Sequence, residues 1–307
     1  MQTEVIDWLM TGDASIRWQV QRDLLGKPPE EYQAEQAQVA ETGWGAELLA
    51  RQDEDGKWGG GWYSPKWTST TYTLLLLFQM GLPPGNPQAL RGCAHFFVRD
   101  LEKDGGINLV KSMRTSETCI NGMLLGLLTY FGSPDPRVHS VANFLRHDQM
   151  PDGGWNCRHP RGATHASFHT TILALEGLRE YCRAAPERRQ DFQPAIERAH
   201  EFLLLHQLYQ SHRTGLPARQ EFTRMCFPPR WHYDFLRGLD YFQSINAPRD
   251  DRMQAAIDLL ISKQNADGSW NLNQPWTGKV FFTLETPGHP SRWNTLRALR
   301  VLKWWEG

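Results

Sequence analysis

The sequence predicts an all-α fold: six helix pairs closed into an α6/α6 barrel, with six apolar helices inside and six amphipathic helices outside. Three observations predict it. One turn phrase recurs along the chain, an amphipathic segment precedes each copy, and a more apolar segment follows it. A helix that is apolar on every side must be buried on every side, which puts the second class inside the first.

The phrase begins with Gln52 and Asp55-Gly56-Lys57-Trp58 and recurs at Asp104-Gly105-Gly106. It returns as Gln149 with Asp152-Gly153-Gly154-Trp155 and as Gln264 with Asp267-Gly268-Ser269-Trp270. The first three aspartates lie 49 and 48 residues apart, and the gap of 115 to the last leaves room for a repeat that has lost its phrase. Asp-Gly marks a turn because glycine takes positive φ without penalty. The aspartates read as turn and cap residues, and Trp58, Trp155 and Trp270 as side chains packed between successive helix pairs. The amphipathic segments are 87–101, 136–147, 196–207 and 253–263, with apolar residues at three- and four-residue steps. The apolar helices are expected to begin near Ile16, Ser69, Ser116, Ser167, Trp231 and Arg292. The first of these, SIRWQVQRDLL, parallels the last, SRWNTLRALRVL, which favours closure over an open solenoid. The repeats span nearly all 307 residues, so the chain reads as one domain, 1–307.

A formal net charge of −1 gives no basis for a nucleic-acid partner. No stretch approaches the roughly 18 apolar residues of a membrane span, and the start, MQTEVIDWLM, lacks a basic n-region, so the expectation is cytoplasmic. Five cysteines without framework spacing read as free thiols or metal ligands. Cys93 and Cys182 lie on helix faces and read as core, and Cys226 receives no role.

The glutamine-led turn phrases resemble the QW motifs of squalene-hopene cyclases, and the chain is similar in size to small bacterial prenyltransferase and squalene-oxidase repeat proteins. That resemblance implies the α/α toroid of terpenoid cyclases and protein prenyltransferases. The DxDD acid of class II cyclases does not occur here, and neither does an aspartate-rich diphosphate motif. The prenyltransferase β subunit, also one toroid, holds zinc with an Asp-x-Cys pair and a His at the starts of adjacent inner helices. The corresponding positions read Glu117-Thr118-Cys119 and His169, with Glu in place of Asp.

Inner-helix N-termini of a barrel face one mouth, so the residues near them converge. Zinc takes thiolate, imidazole and carboxylate donors in a tetrahedral set. Cys119 and His169 are the expected ligands, with Glu117 or Cys157 as third and His165 as a substitute imidazole. Against this, a lone Cys or His on a buried helix is commonly a core residue, and Glu117 can be a first-turn cap. His232, Tyr233 and Asp234, with Glu117, are candidate acid–base groups. Equally, Asp234 can cap its helix and Tyr233 can bridge core and water. Arg17, Trp18, Tyr72, Asn121, Trp231, Arg292 and Asn294 are the candidate substrate contacts. Arg17 and Arg292 can hold an anionic group or pair with Glu117. The leading reading is a zinc-dependent enzyme whose aromatic-lined cavity takes a small apolar molecule, isoprenoid compounds among the candidates. The alternatives are a non-catalytic binding toroid and a thiol-addition enzyme resembling lanthionine cyclases, whose zinc set Cys119, Cys157 and His169 would match. The sequence names no partner subunit.

Overall fold

A computed structural model describes residues 2–109 and 115–307. Among them are thirteen α-helices, short 3-10 turns and isolated β-bridges, and no strand. None of these helices is long and apolar enough to cross a membrane. The chain divides into two compact units, one of residues 1–51, 79–83 and 204–307, the other of 52–78 and 84–203.

The second unit contains α5 (Thr70–Met80, of which the last two residues group with the first unit), α6 (Pro87–Ala94), α7 (Thr118–Phe131), α8 (Val138–His147), α9 (Phe168–Ala184) and most of α10 (Arg189–Leu205). The two helix classes are present. Helix α8 buries Val138, Val141, Ala142, Phe144 and Leu145, one stripe at helical spacing. Helix α7 buries eleven of its fourteen residues and ends on Gly132, whose φ of 78° supplies the left-handed cap. Helices α7 and α9 approach through glycine. A Cβ on Gly177 would stand 2.3 Å from the Gly122 carbonyl oxygen, and one on Gly122 would stand 2.6 Å from the Leu173 backbone. This seam starts one turn from Cys119, so it fixes the first turn of α7 against α9.

The first unit contains α1 (Gln2–Met10), α2 (Ala14–Gln19, continued by a π-helical turn over Val20–Leu24), α3 (Pro29–Ala37), α4 (Gly43–Leu49), α11 (Phe235–Ser244), α12 (Gln254–Ser262) and α13 (Arg292–Glu306). Asp13, Asp234 and Ser291 cap α2, α11 and α13 by accepting backbone N–H bonds. The six apolar helices therefore begin at Ala14, Thr70, Thr118, Phe168, Phe235 and Arg292. Helices α1, α3 and α4 were not located from the sequence. Within this unit α13 meets the start of the chain: Arg292 bonds the Trp8 carbonyl and the Thr11 hydroxyl, and Arg300 bonds Gln19 and Asp23.

The turn phrases do one job in both units. Trp58, Trp155 and Trp270 are fully buried. The backbone N–H of each donates to a threonine hydroxyl on the next apolar helix: Thr70 at 3.1 Å, Thr171 at 3.0 Å and Thr295 at 3.0 Å. The indoles of Trp155 and Trp270 donate backwards to Leu145 and Leu260 on the preceding helix. Gln52 and Gln149 donate to the glycine carbonyl of their own turn and to a carbonyl of the following amphipathic helix, Gln88 and Ala195. In the second copy Ile107 takes the tryptophan position, and Asn121 replaces threonine by bonding both the N–H and the carbonyl of Ile107.

Candidate functional site

In the second unit Cys119 occupies the first turn of α7, and Cys157 lies in the loop between the Trp155 turn and α9. The glycine seam and the Trp155 staple set these two segments side by side. Each thiol is the leading influence on the acidity of the other, and both residues are partly exposed. Cys157 is held by Thr170, whose hydroxyl accepts the Cys157 backbone N–H at 3.3 Å. The two sulfurs differ in acidity. Cys157 is lowered to about 7, first by Cys119 and then by Thr170 and the Arg158 charge, against burial and Glu117. Cys119 is pushed well up by Cys157, by burial and by the Glu117 charge.

Glu117 immediately precedes α7 and lies beside the thiols. Burial raises its carboxyl above the usual carboxylate range, while Arg161 and Lys66 oppose the shift. Its cation is Arg161, at 3.5 Å, and not the expected Arg17 or Arg292. Arg17 pairs with Glu35 at 2.6 Å, and Arg292 is spent on Trp8 and Thr11. An aromatic wall completes the cluster. Tyr63 is 5.3 Å from Tyr72, which in turn meets Trp67 edge-on at 4.7 Å. Burial raises the Tyr63 phenol, and the Cys119, Glu117 and Cys157 charges add to it, which places this ring beside the thiols. The Lys66 ammonium lies over Tyr63 and Trp67 at 5.4 and 5.6 Å.

The expected zinc set is not assembled. Among the described residues no group of three or more His, Cys, Asp or Glu side chains is placed to hold a metal ion. His169 is the second residue of α9 and partly exposed, and His165 is exposed on the preceding loop.

The other candidates are built into the scaffold. Asn121 staples Ile107 and the Glu117 carbonyl. In the first unit, Asn294 donates to the carbonyls of Met225 and Asn271, and the Trp18 indole donates to the Met80 carbonyl at 2.8 Å. Asp234 caps α11, and the Tyr233 hydroxyl donates to the Leu208 carbonyl. His232 stacks between Trp231 at 3.7 Å and Trp276 at 3.5 Å. Tyr63, Lys66, Trp67, Arg158, Arg161 and Thr170 went unnoticed in the sequence. Most lie in loops with no period, and only their position after a turn phrase could have drawn attention.

No protein-family model matches the sequence, and no curated protein matches it. Solved structures do. A protein from Actinoplanes is 19% identical with a TM-score of 0.50, over 96% of this chain and 91% of its own. A glycosyl hydrolase family 88 protein from Bacteroides vulgatus is 12% identical with a TM-score of 0.51, over 99% of this chain and 97% of its own. A type II terpene cyclase from Scytonema, solved with geranylgeranyl dihydroxybenzoate as substrate, is 19% identical with a TM-score of 0.46, over 95% and 87%. At such identities the likeness of the first two is one of fold, and the fold is the all-α, α/α-toroid class.

Proposed function

We propose that this chain is an enzyme acting on a small apolar molecule, with Cys157 as its nucleophile. One feature carries the reading: a partly exposed thiol lowered to about 7, near a second thiol and a carboxyl raised by burial. A thiolate already present near neutral pH is the attacking form of cysteine. A carboxyl raised towards neutrality can return a proton to a leaving group. Tyr63 adds a partly exposed aromatic ring near both groups, backed by the buried Trp67 and Tyr72, which favours an apolar substrate body. Lys66, Arg158 and Arg161 add cationic groups that suit a polar or anionic end. Neighbours covering 96% and 99% of the chain support treating residues 1–307 as one domain.

A second reading uses the same thiols, with Glu117, as donors to zinc. The neighbouring thiols favour it, and it is opposed by the lack, among the described residues, of any group of three or more donors placed to hold a metal ion. Elemental analysis separates the two, because stoichiometric zinc that is lost in Cys119→Ser would establish the metal reading.

The apolar-substrate reading is tested by protection. Purified protein is labelled with N-ethylmaleimide with and without farnesol, an uncharged isoprenoid chain, and Cys157 is followed by mass spectrometry. Farnesol should slow Cys157 labelling with a saturable concentration dependence, and Trp67→Ala should weaken that protection. Unhindered labelling at every concentration of farnesol and of other apolar molecules would overturn the reading and leave a non-catalytic binding role in its place.

A further inference from the structure

The first unit carries a pair of side chains that neither the turn phrases nor the proposed function uses. His206 follows the last residue of α10, and His212 lies in the closed turn between α10 and α11. The Nδ1 of His212 stands 2.9 Å from the Nε2 of His206, and the ring centres are 4.7 Å apart with the planes at 81°. The backbone under both rings is fixed. The His206 carbonyl accepts the N–H of Tyr209 at 3.0 Å and of Gln210 at 2.7 Å. Leu208, fully buried, anchors the segment between the two histidines, and its carbonyl accepts the Tyr233 hydroxyl. Beyond it the Ser211 N–H donates to Leu216 and the Gly215 N–H to Ser211, each at 2.8 Å, which closes the turn that carries His212. His206 is half-buried and His212 exposed, so a rigid support holds the pair at the surface.

Two imidazole nitrogens placed this way can share a proton or a cation. A straight N–H···N bond at this length aligns the rings and sets their centres roughly 5.2 Å apart. The observed 4.7 Å is shorter, so the two nitrogens converge on a point beside the line that joins them. An ion about 2.0–2.1 Å from each nitrogen, with a right angle between its bonds, needs the nitrogens about 2.9 Å apart, and a tetrahedral angle needs about 3.4 Å. The observed spacing is 2.9 Å. Right angles belong to tetragonal copper(II) and nickel(II), and imidazole is a good donor to both. We propose that His206 and His212 form a surface bis-imidazole site for a divalent late transition ion of tetragonal preference, copper(II) or nickel(II), with water in its remaining positions. Each ring keeps its one proton on the nitrogen that faces away, so the ion takes the place of the proton between the rings. Two protein donors hold the ion reversibly, and binding clamps the end of α10 to the turn before α11.

This site does not rest on the enzymatic reading. Full-length protein, purified without a polyhistidine tag and freed of metal with EDTA, is dialysed to equilibrium against a series of nickel(II) chloride concentrations. Nickel per chain is then measured by mass spectrometry. Wild type should bind one ion more than His206→Ala or His212→Ala, and the double variant should bind no less than either, because a chelate is lost with either arm. Nickel on the cysteines is common to all of these proteins and cancels in the comparison. His212→Gln keeps a hydrogen-bonding side chain at the exposed position and should lose the same ion. Nickel should raise the melting temperature of wild type and leave that of His212→Gln unchanged, as expected of an ion that binds the folded state alone. Melts without metal check that each variant folds, and if His206→Ala does not, His212→Gln decides by itself. Equal nickel binding by wild type and His212→Gln would overturn the proposal. So would a loss seen in folded His206→Ala and not in the two His212 variants.

Discussion

In the proposed function a single residue, Cys157, is the reactive group of the second unit, and its acidity has a direct readout. Its thiol is lowered to about 7, so the reactive thiolate is present above that pH and lost below it. Alkylation by iodoacetamide should therefore rise with pH and level off past a midpoint near 7. Cys119→Ala removes the main cause of the shift, and the midpoint should move up towards the ordinary thiol value of about 8.5. An unmoved midpoint would show that Arg158 and Thr170 suffice without Cys119. At this scale the sequence was partly legible. Glu117, Cys119 and Cys157 stood out because they flank or follow a turn phrase and carry chemistry. Tyr63, Lys66 and Thr170 did not, since each takes its part only through a neighbour distant in sequence. The run at 232–234 left two readings open in the sequence. A run of polar side chains at a helix start reads alike whether it meets a substrate or caps the helix, and here Asp234 caps α11.

At the scale of elements, the α7–α9 seam presents the thiol on α7 to the loop before α9. Its glycines are packing requirements, because the obstacle at Gly177 is the backbone carbonyl of Gly122, 2.3 Å from where an alanine Cβ would stand. Gly177→Ala should force the helices apart and cost about 1–3 kcal/mol, the usual range for overpacking. Gly126→Ala is the control, since its Cβ would meet Gly177 at 3.6 Å, an ordinary contact. Urea unfolding of the two variants measures the difference, and equal midpoints would remove the seam from the account. The periodic pattern located α7 and α9 well, as it located α8 and α12. It could not disclose the seam, because a helical glycine looks like a mere loss of propensity until the partner backbone is known.

For the molecule as a whole, the first unit is held by charges that join distant parts of the chain. Asp240 on α11 meets Arg297 and Arg300 of α13 at 3.2 and 2.6 Å, and Arg300 also reaches Asp23 at 3.4 Å. Burial alone would raise the Asp240 carboxyl, but the two guanidiniums outweigh it and hold it below the ordinary range. A depressed carboxylate stabilises the fold above its unfolded value and loses that contribution as pH falls through the folded one. The stabilisation is thus complete at neutral pH and drains away below about pH 4. Asp240→Asn should cost about 3 kcal/mol at pH 7, the low end for breaking a buried pair. The deficit against wild type should shrink in acid, and thermal melts at neutral and acid pH measure both. A deficit independent of pH would assign the loss to packing. The helix classes and the all-α fold were legible from hydrophobic period and the repeated phrase. Helix α3 was not, for it buries no side chain and leaves no apolar stripe to read.

The repeat that lost its turn phrase has a consequence for how this chain could be altered. Between α10 and α11 the backbone closes on itself: Ser211 bonds Leu216, Gly215 bonds Ser211, and Ala218 bonds Tyr209. Residues 212–220 between and beyond these bonds are all exposed. Elsewhere a turn is spoken for by a buried tryptophan or Ile107 and by a threonine or Asn121 of the next helix, and lengthening it would pull a helix out of register. Here the tip answers to its own stem alone. It is the position where foreign sequence, such as an affinity tag or a fluorescent domain, can be spliced in without the helices on either side taking notice.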